Sequence, residues 1–290
     1  METNILKAIR NIVENPITEL KAYYETRNRA NSMGGALEEY VKDIFAGTIN
    51  QKDEQERLRI IERMFSYSGN QNNPPDSIIR NGDAIEVKKI ESYNSALALN
   101  SSYPKAKLYA DSPMITTKCR QCEEWIEKDI LYVVGVVPKE NDKEGKHLKH
   151  LSMVFGVDYA ASAEIYERVK EVISNGVNTI PNVEFSPSKE LGRVNRVDPL
   201  GITYLRIRGM WGIENPLNTF KYLCEKNTSC DFEFIAIINE EKYLSFPKED
   251  IEILEKLAKN VNAFEILDVV IKVPDNPSAL KNAKLIRLIR

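Results

Sequence analysis

The chain reads as an α/β protein, a central sheet flanked by helices, and three observations carry that reading. A near-continuous apolar run at 130–137 has the pattern of a strand buried on both faces. Amphipathic stretches stand before and after it, such as Leu37, Tyr40, Val41 and Ile44 at helical spacing. Short runs alternating polar and apolar residues lie between them, Ala84 to Ile90 above all.

Taken in order, Ile5, Leu6, Ile9, Ile12 and Val13 make a first amphipathic helix. It ends before Pro16, a residue able to open the next helix at Ile17. The third helix, 34–45, buries the stripe named above and carries Glu38 at its edge. A charged helix is expected at 55–65, then strands at 77–79, 84–90, near 107–110, 130–137 and 151–157. In the helix that follows, Ile165, Tyr166, Val169, Val172 and Ile173 recur at threes and fours, and Asn175-Gly176 should terminate it. Strands at 203–207 and 232–238 and a late helix with Ile251, Leu254, Leu257 and Ala258 complete the elements. The charge-dense stretch 139–149 is expected to be an exposed loop, and no internal repeat or low-complexity tract is present.

Composition sets bounds. At 290 residues, 42% hydrophobic and 29% charged, the chain can bury a substantial core, as one large domain or two small ones. The N-terminus is acidic, without the apolar segment of a signal peptide, and no apolar run approaches a membrane span. Four cysteines without a secretory signal fit a reducing cytoplasm. A net charge of −3 does not advertise a nucleic-acid binder, but a basic cleft can coexist with an acidic exterior.

The most informative stretch runs from Asn73-Pro74-Pro75-Asp76 to Asp83-Ala84-Ile85-Glu86-Val87-Lys88. On a strand, Glu86 and Lys88 share one face while Ile85 and Val87 point into a core. A hairpin through Arg80-Asn81-Gly82-Asp83 brings Asp76 alongside Glu86, because Asn-Gly is a strong tight-turn signal. Two carboxylates and an ammonium at one point suit metal-dependent phosphodiester hydrolysis: the carboxylates hold a hard cation, and the lysine orients or activates water. Charges also alternate on the solvated faces of many hairpins, so spacing alone leaves an exposed hairpin open as well.

The Pro-Asp…Glu-x-Lys arrangement behind a glutamate-bearing helix resembles the PD-(D/E)XK nuclease superfamily. The wider text is similar to the NgoPII-type type II restriction endonucleases, associated with the palindrome GGCC. It includes Asn15-Pro16-Ile17-Thr18-Glu19-Leu20-Lys21, Gly69-Asn70-Gln71-Asn72-Asn73-Pro74-Pro75-Asp76, Ala98-Leu99-Asn100-Ser101-Ser102-Tyr103-Pro104-Lys105 and Cys119-Arg120-Gln121-Cys122-Glu123-Glu124-Trp125. The similarity runs from near residue 10 to about 215, with the last seventy or so residues unmatched. It implies a PD-(D/E)XK-like mixed central sheet flanked by helices, in a single restriction-endonuclease domain over 1–290. The nuclease core would occupy about 15–180 and the DNA-recognition and C-terminal elements about 181–290. It implies magnesium, with manganese able to substitute, held by Asp76, Glu86 and the Val87 carbonyl. Lys88 would position or deprotonate the water, and Glu38 would take an outer or second-metal role. It further implies a homodimer on double-stranded DNA, cutting both strands to leave 5′-phosphates. A cognate methyltransferase would protect host DNA without needing to bind the enzyme.

Basic, amide and aromatic residues interleave at Arg193-Val194-Asn195-Arg196 and Arg206-Ile207-Arg208-Gly209-Met210-Trp211. Arginine pairs with guanine edges, so a guanine-rich target calls for them. Arg206 and Arg208 alternate along one strand and could enter one groove, or they are surface arginines on an edge strand. Arg27-Asn28-Arg29, Lys105 and Lys107 are candidates for phosphate contact, and Ser101 and Ser102 could donate to phosphate. Cys119-x-x-Cys122 with His147-x-x-His150 offers a zinc alternative, against structural thiols; Cys224 and Cys230 read as buried small hydrophobes beside a helix end. Two rival functions stay open: a non-catalytic, zinc-stabilised DNA-binding protein, and a repair or recombination nuclease that reads structure instead of sequence.

Overall fold

The computed structural model of the chain describes residues 2–20, 24, 33–70, 73–138, 147–179, 183–184, 191–195 and 197–290. The helices among them are α1 (Ile5–Glu14), α2 (Met33–Ala46), α3 (Glu54–Met64), α4 (Thr117–Arg120), α5 (Gly156–Tyr159), α6 (Ala163–Asn178), α7 (Pro216–Thr219), α8 (Glu240–Ser245) and α9 (Lys248–Asn260). The strands are β1 (Phe65–Asn70), β2 (Asn73–Ile79), β3 (Ala84–Ile90), β4 (Leu97–Asn100), β5 (Lys107–Tyr109), β6 (Glu127–Val136), β7 (His150–Phe155), β8 (Val183–Glu184), β9 (Gly192–Val194), β10 (Leu205–Ile207), β11 (Trp211–Ile213), β12 (Glu233–Asn239), β13 (Phe264–Val273) and β14 (Asn276–Ile289).

A nine-stranded sheet in the order β1-β2-β3-β6-β7-β12-β14-β13, with β5 on β6, forms the centre. It is mixed: β3 runs parallel to β6 and β7 parallel to β12, while the other pairs are antiparallel. Both faces are covered, which is why β6 and β12 are apolar almost throughout. On one face Ile85, Val87, Leu131, Val133, Met153 and Phe234 pack with residues of α1, α2 and α9. On the other, Ala84, Ile90, Tyr132, Val134 and Ile237 pack with Leu97, Leu108, Cys119, Tyr159 and Phe220. The two-residue period of β3 thus leaves Glu86 and Lys88 on the second face.

Two caps and one ion network fix the helices that approach the sheet. Asn4 accepts the N–H of Lys7 at the start of α1, and Asp53 accepts from Gln55 and Glu56 at the start of α3. Arg57 of α3 is buried, 2.7 Å from Asp43 and 2.5 Å from Glu39, both on α2. Tyr24 and Thr48 also donate to Asp43, so its buried charge is fully used. This network holds α2, and with it Glu38, in register with the sheet.

Several expectations change. Residues 16–19 are not helical; the Thr18 carbonyl accepts from Leu148 at 2.7 Å, and that tertiary bond overrides the helix-opening tendency of Pro16. Helix α6 passes through Asn175-Gly176 to Asn178, since glycine in an exposed helix costs only about 1 kcal/mol. Its stripe is not a core: Val172 is 67% exposed, and Val169 and Ile173 also face solvent. The last seventy residues supply β12, β14 and β13 to the central sheet. Cys224 and Cys230 are half-buried in a turn region beyond α7, not buried beside a helix end. No helix among the described residues is long and apolar enough to cross a membrane.

Candidate active site

Strands β2 and β3 are joined by the Asn81-Gly82 turn, with Asn81 at φ 56. They pair at Ile78↔Ala84 and Ser77↔Ile85 and then part. Where the ladder stops, the Asp76 carboxylate takes the place of a backbone acceptor. Its Oδ2 accepts the N–H of Val87 at 2.6 Å. In an extended strand the N–H and C=O of one residue point to the same side. The Val87 carbonyl therefore shares the Asp76 side, on the edge of β3 away from β6.

The other edge of β2 is set by Gly69. A Cβ there would lie 3.0 Å from the Asp76 carbonyl oxygen and 3.2 Å from its Cα. Only glycine lets β1 run this close, and β1 bulges at the same point.

Glu86 and Lys88 extend from β3 beside Asp76. Lys88 Nζ donates to Glu86 Oε1 at 2.5 Å. Glu86 is 8% exposed, so this is no solvated hairpin face. Its other oxygen, Oε2, is buried and has no hydrogen-bond partner among the described residues. Burial, and then the Asp76 charge, push the Glu86 carboxyl up to about 7. Burial also raises Asp76, against the pull of Lys88, the Val87 N–H and Lys42. Glu38 on α2 joins the group: its carboxyl is raised by burial and by Asp76. Lys88 loses solvent too, but Glu86 and Asp76 more than offset this and hold its ammonium above the usual range.

The structure thus brings Asp76, Glu86, Lys88 and Glu38 together. Two crowded carboxylates, Asp76 and Glu86, and one orphaned buried oxygen leave a pair of hard-oxygen donors short of positive charge, with Glu38 close enough to feel the Asp76 charge. Such a set fits a divalent cation with oxygen preference, magnesium or manganese. Lys42 and Tyr132 were not singled out from the sequence. Lys42 stands one helical turn from Glu38, a spacing that could have flagged it. Tyr132 faces Glu86 across the β3–β6 ladder, which only the register reveals.

The DNA-contact candidates divide. Arg193 of β9 and Arg206 of β10 are cross-strand partners in a separate three-stranded sheet, in which β10 is one of the two edge strands. Arg208 lies beyond the end of β10, so the expected strand over 203–207 is shorter and only Arg206 projects from it. Arg193 stacks 4.1 Å over the Tyr204 ring. Asn195 follows β9, half-buried; Arg196 and Arg27-Asn28-Arg29 lie outside the described residues. Ser101, Ser102 and Lys105 sit in the loop after β4, and the Ser102 hydroxyl is buried without a hydrogen-bond partner among the described residues.

The cysteine–histidine alternative finds no common location. Cys119 is buried in the second core, where desolvation pushes its thiol up to about 12. His150 opens β7, fully buried, 2.7 Å from the Ser152 hydroxyl and 3.3 Å from Glu233. His147 is 3.8 Å from Glu19. Among the described residues no three of His, Cys, Asp and Glu come together in metal-binding geometry.

Comparison with known proteins places the chain in a family. The NgoPII restriction endonuclease family model matches residues 3–272, well beyond the 10–215 expected from motifs. The type II restriction enzyme NgoPII of Neisseria gonorrhoeae is 52% identical over 283 residues, 98% of either chain. No solved structure matches. A match of that length, running through both the carboxylate hairpin and the arginine sheet, means that the chain belongs to the NgoPII restriction endonuclease family and is a type II restriction enzyme.

Proposed function

We propose that the enzyme cuts double-stranded DNA at the palindrome GGCC, with magnesium, leaving 5′-phosphate and 3′-hydroxyl ends. The observation that carries this reading is the orphaned, buried Glu86 Oε2 facing the Asp76 charge. Asp76, Glu86 and the Val87 carbonyl would hold the ion, with Glu38 in an outer or second-metal role. Bound magnesium supplies charge stabilisation at the phosphate and lowers the pKa of water; manganese substitutes. Lys88, anchored on Glu86, would orient the attacking water; held as an ammonium above its usual range by Glu86 and Asp76, it donates hydrogen bonds and does not take the proton. The Asp76–Val87 bond keeps the carboxylate fixed while the water attacks phosphorus in line, so catalysis is positioning and charge stabilisation.

Arg206, Arg208, Arg193, Asn195, Arg196, Ser101, Ser102 and Lys105 make up the DNA surface, the arginines toward guanine edges and the loop toward phosphates. The central sheet carries the chemistry, and the 191–213 segment the reading of sequence. A palindrome matches two copies related by a two-fold axis, so the working form is a homodimer. The enzyme acts in the cytoplasm, where a cognate methyltransferase protects host sites.

Digestion of a sequenced viral DNA tests this. Discrete bands ending at GGCC should form with magnesium, vanish in excess chelator, and be absent with Asp76→Asn or Lys88→Ala although both variants still shift GGCC duplexes. Full-rate cleavage in chelator, or a smear without fixed ends, would refute it.

A further inference from the structure

We infer that Lys105 is a second cation of the cleavage site, a buried ammonium that contacts a phosphate of the bound DNA next to the Asp76–Glu86 carboxylates. The inference rests on the DNA-cleavage reading above and narrows the part Lys105 plays in it, from a phosphate contact on the DNA surface to a cation beside the reacting group.

Lys105 is only 8% exposed. No carboxylate forms an ion pair with it among the described residues; its near neighbour is the Tyr103 ring, 4.5 Å from Nζ. Burying an ammonium without a counter-charge is expensive. The acids that act on its charge are committed elsewhere, and Asp111, which lines the same cavity, forms no ion pair with it among the described residues. Glu167 pairs with Lys170 at 3.0 Å and Glu86 with Lys88 at 2.5 Å. Lys107, two residues on, is bound to Glu127 at 2.5 Å. Burial holds the Lys105 ammonium below the usual lysine range; Glu167 and Glu86 raise it from a distance, and Lys170 lowers it.

The backbone explains how this lysine is held. Tyr132 stands opposite Glu86 in the parallel β3–β6 register. Its hydroxyl accepts the N–H of Lys105 at 2.7 Å and donates to the Lys105 carbonyl at 3.3 Å. One side chain of the catalytic sheet therefore clamps both polar groups of one loop residue. Tyr103 adds a second anchor, stacked 5.2 Å from Tyr166 of α6 and edge-on to Trp211 of β11. The loop is thus fixed between the carboxylate site and the element after the arginine sheet. Lys105 lines an open cavity of about 450 Å³ with Tyr103, Pro104, Lys107 and Ser162, which can take a phosphodiester group. A cation desolvated in advance interacts strongly with charge that develops on phosphate.

The test compares Lys105→Met with the wild type in three measurements. Single-turnover cleavage of a GGCC duplex in magnesium should slow by about 100-fold, as for loss of one preorganised charge-stabilising donor. The salt dependence of duplex binding in calcium should become shallower by about one counterion. The melting temperature of the metal-free protein should hold or rise, because methionine fills the site without a buried charge. Cleavage within threefold of wild type together with an unchanged salt slope would overturn the assignment. So would a slowed rate accompanied by a lower melting temperature and an unchanged salt slope, which would make Lys105 a packing residue. If the wild type cuts no DNA, the cleavage reading fails by itself, and the salt slope still decides whether Lys105 touches phosphate.

Discussion

Changing Asp76 to Asn should stabilise the metal-free protein at pH 8 and leave it unaffected near pH 5. Asn keeps an oxygen acceptor for the Val87 N–H, so the 2.6 Å hydrogen bond survives and only the charge is lost. The Glu86 carboxyl rises from 4.5 to about 7 in the folded protein, first through burial and then through Asp76. At about 1.4 kcal/mol per tenfold, ionising it there costs on the order of 3 kcal/mol. Asp76 accounts for the smaller part of this cost, since burial is the larger cause. A carboxyl with a raised folded pKa keeps its proton in the folded state after the unfolded chain has lost it. Stability is therefore full below the unfolded value near 4.5 and is lost as pH rises through about 7. For a chain of this size each kcal/mol gained in Asp76→Asn corresponds to about 2–4 °C. Thermal unfolding in chelator at pH 5 and pH 8 measures it. Magnesium should reverse the order at pH 8 by stabilising the wild type alone. A variant no more stable than wild type at pH 8, or stabilised equally at both pH values, would refute crowded carboxylates as the origin of the shift.

Three further outcomes follow from the same geometry. Arg57→Met leaves Asp43 buried without its cation and should cost about 3–5 kcal/mol in urea unfolding. Gly69→Ala should displace the Asp76 backbone, lowering the cleavage rate at least tenfold with little change in DNA affinity, as single-turnover kinetics and gel shift would show. Arg206→Ala and Arg193→Ala should each cost roughly 1–3 kcal/mol on GGCC duplexes if they read guanine. An equal loss on random duplexes would give them phosphate contacts instead.

What the sequence made legible is local. The bounds of β3 could be read to the residue because alternation and the Asn-Gly turn both act within a few positions, and the same turn places Asp76 near Glu86. Glu38 followed from the stripe of Leu37, Tyr40 and Val41, which fixes one helix face. Strand β2 was read as 77–79 because prolines argue against a strand. Pro74 and Pro75 are tolerated because β2 has already left β3 there and pairs only with β1. Burial of charge was not legible. Arg57, His150 and Lys105 look like surface residues until Asp43, Glu233 and Tyr132 arrive from distant segments. The apolar stripe of α6 misled in the opposite sense, since periodicity says which face is apolar but not what covers it. Strands β13 and β14 were missed because their outer ends are partly solvated, blurring the alternation.

The order of strands in the central sheet also governs how the enzyme comes into being. From β7 outward, neighbours in space are remote along the chain: His150 lies beside Glu233, and Glu233 beside Ile289. Arg290 closes onto Val13 through the latter's carbonyl, joining opposite ends of the described chain. Loops of that length must close before these contacts return any free energy, so assembly is slow relative to local helix and hairpin formation. Strand β7, buried along its whole length, keeps an open edge until β12 docks on it. Partly folded chains therefore display an adhesive sheet edge, the condition that favours aggregation. Expression at low temperature should raise the yield of native enzyme more than any change at the carboxylate hairpin, which is complete within a few dozen residues.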